Sequence, residues 1–197
     1  MRKARTLYPL LVASVSSVVL SAAPASAAPP GEWSVAIERL FGLSRATDDI
    51  ENRGSITYTS ISLFAKVAGE VGYSVPRLAF DYLSSSGLTL GGALGYASIS
   101  VDGGDVDAWL FAGRVGYFIR PSSSLGIWPR GGLTHLEEGN DTDATALTLE
   151  VPFEILMSRG VALTIMPHAD IGIGGSVGPL DRTLTELGLA FGFGLFF

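Results

Sequence analysis

The chain has 197 residues, enough for one domain, and 47% of them are hydrophobic while 16% are charged. Beyond the N-terminus no apolar run reaches the roughly 20 residues of a membrane helix, because Gly or a charged residue interrupts each candidate. The net charge of −6 argues against nucleic acid as a partner, and the absence of Cys excludes disulfides and thiolate metal sites.

The N-terminus has the three parts of a secretory signal peptide. Basic residues within the first five positions precede an apolar stretch over 7–20, and small residues follow at Ala25 and Ala27. We expect cleavage after Ala27, with Ala28 as the alternative site, which makes 1–27 the signal peptide and 28–197 the mature barrel domain. The alternative, an uncleaved anchor helix, is disfavoured by the short apolar stretch and by the Ala-x-Ala site.

The rest of the chain alternates with a period of two, which is the pattern of strands with two different faces. In the clearest stretch, 146–155, every odd-numbered residue is large and apolar, whereas the even-numbered residues are Ala, Thr, Glu and Pro. A soluble barrel would carry polar residues on the face away from its core. Large apolar residues on one face and small or charged ones on the other indicate a membrane barrel with a narrow lumen.

The alternation predicts an all-β fold, a closed up-and-down antiparallel transmembrane barrel of eight strands. These strands are 33–46, 75–83, 87–101, 107–119, 124–137, 144–156, 160–175 and 183–197. Short connections between them alternate with connections that are longer or richer in Asp, Gly and Asn. This is typical of outer-membrane barrels, with tight periplasmic turns, longer extracellular loops and, for an even count, both termini in the periplasm.

Two features do not fit this pattern simply. The segment 55–68 alternates like a strand, and we interpret it as structure within a long first extracellular loop or as a strand extension above the membrane. The alternative pairs it with 70–75 and gives ten strands. Arg39 falls on the lipid-facing phase of the first strand, where it would cost about 2–4 kcal/mol at the bilayer midplane. A β-bulge or snorkelling would relieve this cost, and the sequence does not decide between them.

The phase assignment sends ten ionisable side chains into the lumen. They are Glu38, Arg77, Asp81, Arg114, Arg130, Glu150, Glu154, His168, Asp170 and Glu186. Unpaired charges in such a narrow interior would be costly, so we expect the Arg side chains to pair with the carboxylates and to fill the lumen. The alternative is a charged channel or a proton-responsive gate.

The sequence predicts neither catalysis nor a cofactor. Of the two His residues, His135 is followed two positions later by Glu137 rather than by a nucleophile such as Ser, and His168 has no evident Ser partner. We expect the acidic clusters of the loops to be solvated rather than to form a metal site. The Gly pairs lie inside strands and open no helix, so no nucleotide-binding loop is predicted.

The chain ends in Leu-Ala-Phe-Gly-Phe-Gly-Leu-Phe-Phe over 189–197, which resembles the C-terminal signal read by the barrel-assembly machinery. The positions that carry this resemblance are Phe191, Phe193, Leu195 and Phe197. Over 32–197 the chain resembles the small outer-membrane β-barrel superfamily of OmpA-, OmpX- and OmpW-like proteins. Its members include structural proteins, adhesins, narrow pores and lipid-modifying enzymes, so the fold does not choose among these functions.

These observations predict a monomeric, porin-like but non-catalytic barrel in the outer membrane of a Gram-negative bacterium. We expect a structural or surface-interaction role, with outer-membrane lipid and lipopolysaccharide as partners and the assembly machinery as a partner during biogenesis. The alternative is a narrow pore for small solutes, and a lipid-modifying barrel enzyme is less favoured.

The C-terminal pattern generates a test of assembly. Replacing Phe197 with Asp should reduce the amount of barrel inserted in the outer membrane, because a charge replaces the terminal aromatic residue of the signal. Heat-modifiable migration of the membrane fraction on gels measures the folded yield. An undiminished folded yield from this variant would contradict the assembly-signal interpretation.

Overall fold

The computed structural model describes residues 32–63, 66–68, 72–101, 104–139, 141–158 and 160–197. The signal peptide, with Ala25 and Ala27, lies outside these residues and stays a prediction. Among the described residues no helix is long and apolar enough to cross a membrane.

Thirteen strands form one antiparallel sheet that closes on itself where the last strand pairs with the first. The strands are β1 (Glu32–Ile50), β2 (Gly54–Leu63), β3 (Lys66–Ala68), β4 (Arg77–Leu83), β5 (Leu88–Val101), β6 (Gly104–Tyr117), β7 (Ile119–Ser122), β8 (Leu125–Ile127), β9 (Arg130–Glu138), β10 (Thr142–Glu150), β11 (Phe153–Ser158), β12 (Val161–Val177) and β13 (Leu180–Phe196). Pro129 separates β8 from β9 and Pro152 separates β10 from β11, because Pro has no N–H to donate to the ladder. β8 with β9, β10 with β11, and β6 with β7 each form one wall strand. β2 takes the place of β4 beside β1, and β3 is a short strand paired with β2, so the closed barrel has the predicted eight wall strands.

Backbone hydrogen bonds at the chain terminus close the barrel. β13 pairs with β1 from Ser34–Phe196 up to Ile50–Arg182. Beyond the last ladder pair, the N–H of Trp33 donates to the carbonyl oxygen of Phe197 at 2.8 Å, and the N–H of Phe197 returns the bond at 2.9 Å. Both termini of the described barrel therefore lie at the same end, which we call the terminal end; the opposite end is the loop end.

The exterior is a band of apolar side chains. Exposed large residues occur on every wall strand: Trp33, Leu43, Phe80, Leu94, Phe111, Leu133, Leu149, Phe153, Ile173, Leu189 and Phe193. Trp33 packs on Tyr82 at the terminal end, with ring centroids 5.1 Å apart, and Tyr96 packs on Trp109 towards the loop end at 4.9 Å. An apolar belt with aromatic residues near both edges is the lipid-facing surface of a transmembrane barrel.

The part of the segment 55–68 that the structure describes belongs to the wall rather than to a separate loop element. β1 pairs with β4 through Glu32–Glu38 and with β2 through Phe41–Ile50, so β2 continues the wall beyond the end of β4. Ile61 and Leu63 face outward, whereas Ser60 and Ser62 face inward. The ten-stranded alternative is wrong, because β2 lies on the same side of β1 as β4 and adds no wall strand.

Candidate functional site

A β-bulge in β1 turns Arg39 into the lumen. Ile37 pairs with Phe193 and Phe41 with Phe191, so three residues of β1 lie opposite Gly192 alone. Arg39 has a φ of 52° and its side chain is fully buried. A Cβ on Gly192 would lie 2.3 Å from the carbonyl oxygen of Ile37, so only Gly fits beside the bulge. The lipid-facing phase predicted for Arg39 is therefore wrong, because two extra residues interrupt the alternation locally.

Arg39 joins three distant parts of the chain. Its Nη1 donates to Asp170 Oδ2 at 2.9 Å and to the carbonyl oxygen of Tyr73 at 2.6 Å. Its Nη2 donates to Glu150 Oε1, also at 2.9 Å. The guanidinium group thus donates to carboxylates on two neighbouring wall strands and to a backbone carbonyl of the segment before β4.

Beside Arg39, carboxylates and guanidinium groups alternate across the middle of the lumen. Glu38 accepts from Arg77 Nε at 3.0 Å, from Arg114 Nη1 at 2.6 Å and from Arg130 Nη2 at 2.7 Å. Glu150 accepts from Arg130 Nε at 3.1 Å and also from Arg77. We call this set, with Arg39, Asp81 and Asp170, the ionic layer.

Small residues on the lumen face make room for the ionic layer. Asp81 accepts from Arg114 Nη2 at 2.5 Å, and its carboxylate crosses the neighbouring strand at Gly91. A Cβ on Gly91 would lie 2.0 Å from Asp81 Oδ1, so a larger residue would displace the carboxylate. The Gly residues on this face therefore leave space for charged side chains that reach over them.

The structure buries all ten residues predicted for the lumen. Six of them form the centre of the ionic layer, and Asp170 joins through Arg39. Glu186 accepts from the hydroxyl of Ser74, and His168 lies near both Asp170 and Glu186. Glu154 lies apart and accepts from Thr164 Oγ1 at 2.8 Å. Removing one partner of such a buried pair strongly destabilises the folded protein, because the other charge is left buried without compensation.

Sequence reasoning missed a segment that lies inside the barrel. Tyr73 and Val75 are completely buried, and they pack with Leu110, Leu136 and Leu184 into an apolar layer on the loop side of the ionic layer. The predicted strand 75–83 begins at Arg77 instead. Tyr73 and Val75 alternate with Ser74 in the sequence, yet all three are buried, so the alternation does not mark two faces here.

An outer ion cluster covers the apolar layer at the loop end. Arg182 donates through Nε to Asp48 at 3.0 Å and through Nη1 to Glu138 at 2.6 Å. Although burial opposes its charge, these two carboxylates hold the pKa of Arg182 above its ordinary value. Arg182 was missed because the predicted strand began one residue after it.

Aromatic side chains fill the terminal end. Phe118 meets Trp128 edge to face with centroids 5.5 Å apart, and Phe196 lies 6.3 Å from Trp128. Trp128 Nε1 donates to Thr89 Oγ1 at 2.9 Å, and the guanidinium of Arg130 lies 4.6 Å from the Trp128 ring centroid. This aromatic layer joins the ionic layer through a cation–π contact.

Little space remains in the ionic layer. A cavity lined by Arg77, Arg114, Arg130 and Glu150 has a volume of about 10 Å³. That volume holds at most one water molecule. The described lumen thus consists of an outer ion cluster, an apolar layer, the ionic layer and an aromatic layer.

His135 lies apart from these layers. Its Nδ1 is 2.9 Å from Thr145 Oγ1, and its Nε2 is 3.5 Å from Glu137 Oε1. The side chain is 40% exposed on the outer face of β9. Its polar neighbours among the described residues are the Glu137 carboxylate on β9 and the Thr145 hydroxyl on the adjacent β10. A lipid-A deacylase of the superfamily that the sequence resembles has Ser at the position of Glu137.

No protein-family model matches the sequence, and no curated protein is significantly similar to it. Among solved structures, the outer membrane protein OprG from Pseudomonas aeruginosa matches with a TM-score of 0.50 and 12% identity, over 85% of this chain and 96% of that chain. Neisserial surface protein A matches with a TM-score of 0.48 and 13% identity, over 86% and 98%. Ail of Yersinia pestis, in complex with the heparin analogue sucrose octasulfate, matches with a TM-score of 0.47 and 11% identity, over 85% and 99%.

At these identities the likeness concerns the fold alone. The match to OprG, with a TM-score of 0.50, supports the closed-barrel fold that the strand order and the apolar exterior indicate independently. The resemblance to the small outer-membrane β-barrels is thus confirmed as a resemblance of fold.

The ionic layer generates a test with a matched control on the same strand. Arg39→Met should lower the free energy of unfolding by about 3–5 kcal/mol, because it leaves the buried carboxylate of Asp170 without its guanidinium partner. Arg45→Met, on the exposed face of β1, should change it by about 0.5 kcal/mol or less. Urea unfolding in detergent or lipid measures both. Equal effects of the two substitutions would show that Arg39 contributes no special stability.

Proposed function

We propose that this chain is an integral barrel of the Gram-negative outer membrane, exported by residues 1–27, with a structural or surface-interaction role. The observation that carries this proposal is the ionic layer, in which Arg39, Arg77, Arg114 and Arg130 bind carboxylates across the whole lumen. A barrel with a filled lumen acts through its outer surface and its loops.

The order of the layers argues against conduction. A solute entering from the loop end would first separate Arg182 from Asp48 and then displace Tyr73 and Val75 from the apolar layer. Breaking buried ion pairs costs several kcal/mol for each stranded charge. A pore needs a continuous polar file, and the apolar and aromatic layers interrupt such a file at two levels.

The surfaces of the barrel support two kinds of contact. The apolar belt suits outer-membrane lipid, and on β1 it ends at Leu43, beyond which Arg45 and Asp49 are exposed. Asp141 and Asp181 are also exposed near the loop end. Carboxylates at this height would contact lipopolysaccharide phosphates through bridging divalent cations. On this basis we propose that the loop end faces the outside of the cell. We also propose that the chain is a monomer without catalytic activity.

The closed lumen is tested by conductance in planar lipid bilayers. The reconstituted chain should give no sustained current steps in 1 M KCl, because the cavity within the described ionic layer has room for at most one water molecule. Heat-modifiable migration of the same preparation shows that the barrel has folded, so that silence does not reflect failed folding. A stable and sizeable conductance from folded protein would contradict the proposal and favour the narrow pore.

A further inference from the structure

Three donor side chains meet on the lumen wall next to the ionic layer. His168 and Asp170 project from β12, and Glu186 on β13 is the register partner of Asp170. All three side chains are at least 99% buried. One donor atom of each lies within 4.8 Å of the other two. We call these residues the lumen triad.

The imidazole of His168 points a ring nitrogen at the two carboxylates. Its Nδ1 lies 3.4 Å from the carbonyl oxygen of Met166, a long contact through which it can donate weakly. This contact favours the tautomer whose lone pair is on Nε2. Nε2 has no hydrogen-bond partner among the described residues, and neither has Oε2 of Glu186. A lone pair facing carboxylates is repulsive unless a cation lies between them.

The distances favour a metal ion over a proton as that cation. His168 Nε2 is 3.5 Å from Glu186 Oε1 and 3.9 Å from Asp170 Oδ2. Both distances exceed those of good N–H···O hydrogen bonds. Donors bound to one tetrahedral ion at about 2.0–2.2 Å lie roughly 3.4 Å from each other, which is close to the observed spacing.

The charge balance around the triad also favours a cation there. The buried Arg side chains that the structure describes in the ionic layer are Arg39, Arg77, Arg114 and Arg130. The buried carboxylates of that layer and of the triad are Glu38, Asp81, Glu150, Asp170 and Glu186. With neutral His168, five carboxylates exceed four guanidinium groups by one negative charge, which attracts a cation to the triad.

We propose that the lumen triad binds a divalent transition-metal ion of the Zn²⁺ class through His168 Nε2, Asp170 and Glu186. One nitrogen and carboxylate oxygens are donors that suit first-row ions of intermediate softness. Asp170 also accepts from Arg39 and from Thr148 Oγ1, and Glu186 accepts from Ser74, which orients both carboxylates. The ion would tie β12 to β13 and to the inner segment at Ser74.

Cobalt supplies the test, because bound Co²⁺ has visible absorption that reports its coordination. The full chain, without a histidine tag, is refolded with Co²⁺ since the site is enclosed, and unbound metal is then removed. We expect one Co²⁺ per chain with the intense visible bands of low-coordinate cobalt. His168→Gln should reduce bound Co²⁺ at least tenfold.

The second His of the chain provides the matched control. His135→Gln should leave Co²⁺ binding unchanged, because His135 lies on the outer face. Glu186→Gln is a second site variant, which decides the matter if His168→Gln does not fold. Folded wild-type protein that retains no Co²⁺, or retention of Co²⁺ by a folded triad variant, would overturn the site. Loss of Co²⁺ from His135→Gln alone would instead assign the metal to the outer surface.

Discussion

The ion pairs of Arg39 with Asp170 and Glu150 are the constraint on which the arrangement of the lumen depends. They require β1 to insert two extra residues, and the bulge in turn requires Gly192 on β13. The same guanidinium binds the backbone of Tyr73 and so holds the inner segment across the barrel. The bulge costs backbone hydrogen bonds of the β1–β13 ladder. The charge-assisted hydrogen bonds of Arg39 offset this cost.

Each layer of the lumen contributes to its closure in a different way. Eight strands enclose only enough space for side chains, and long Arg side chains fill that space while satisfying the carboxylates of the facing wall. The apolar layer with Tyr73 and the aromatic layer with Trp128 exclude water from both sides of the ionic layer. The lower dielectric that results strengthens each pair and raises the penalty for breaking one.

The period of two was sufficient to predict the wall and the direction of most charged side chains, because alternation fixes the face of each residue in a strand. It was wrong for Arg39, since the two-residue bulge turns this side chain inward while Ile37 and Leu43 on either side keep the predicted outward phase. It could not place Tyr73, whose contacts with Arg39 come from tertiary structure. Asp170 and Glu186 were each predicted for the lumen, but their pairing depends on a register that the sequence does not specify.

The central claim is that buried ion pairs hold the lumen closed, and a double-mutant cycle between Arg39 and Asp170 tests it most directly. The single variants Arg39→Met and Asp170→Leu and their combination are compared by equilibrium unfolding in lipid. Arg39→Met strands the Asp170 carboxylate, whereas Asp170→Leu leaves Arg39 with Glu150 and the Tyr73 carbonyl oxygen. Because the double variant contains no stranded Asp170 charge, the account predicts a coupling free energy of about 2 kcal/mol or more. Additive effects, within about 0.5 kcal/mol, would contradict it.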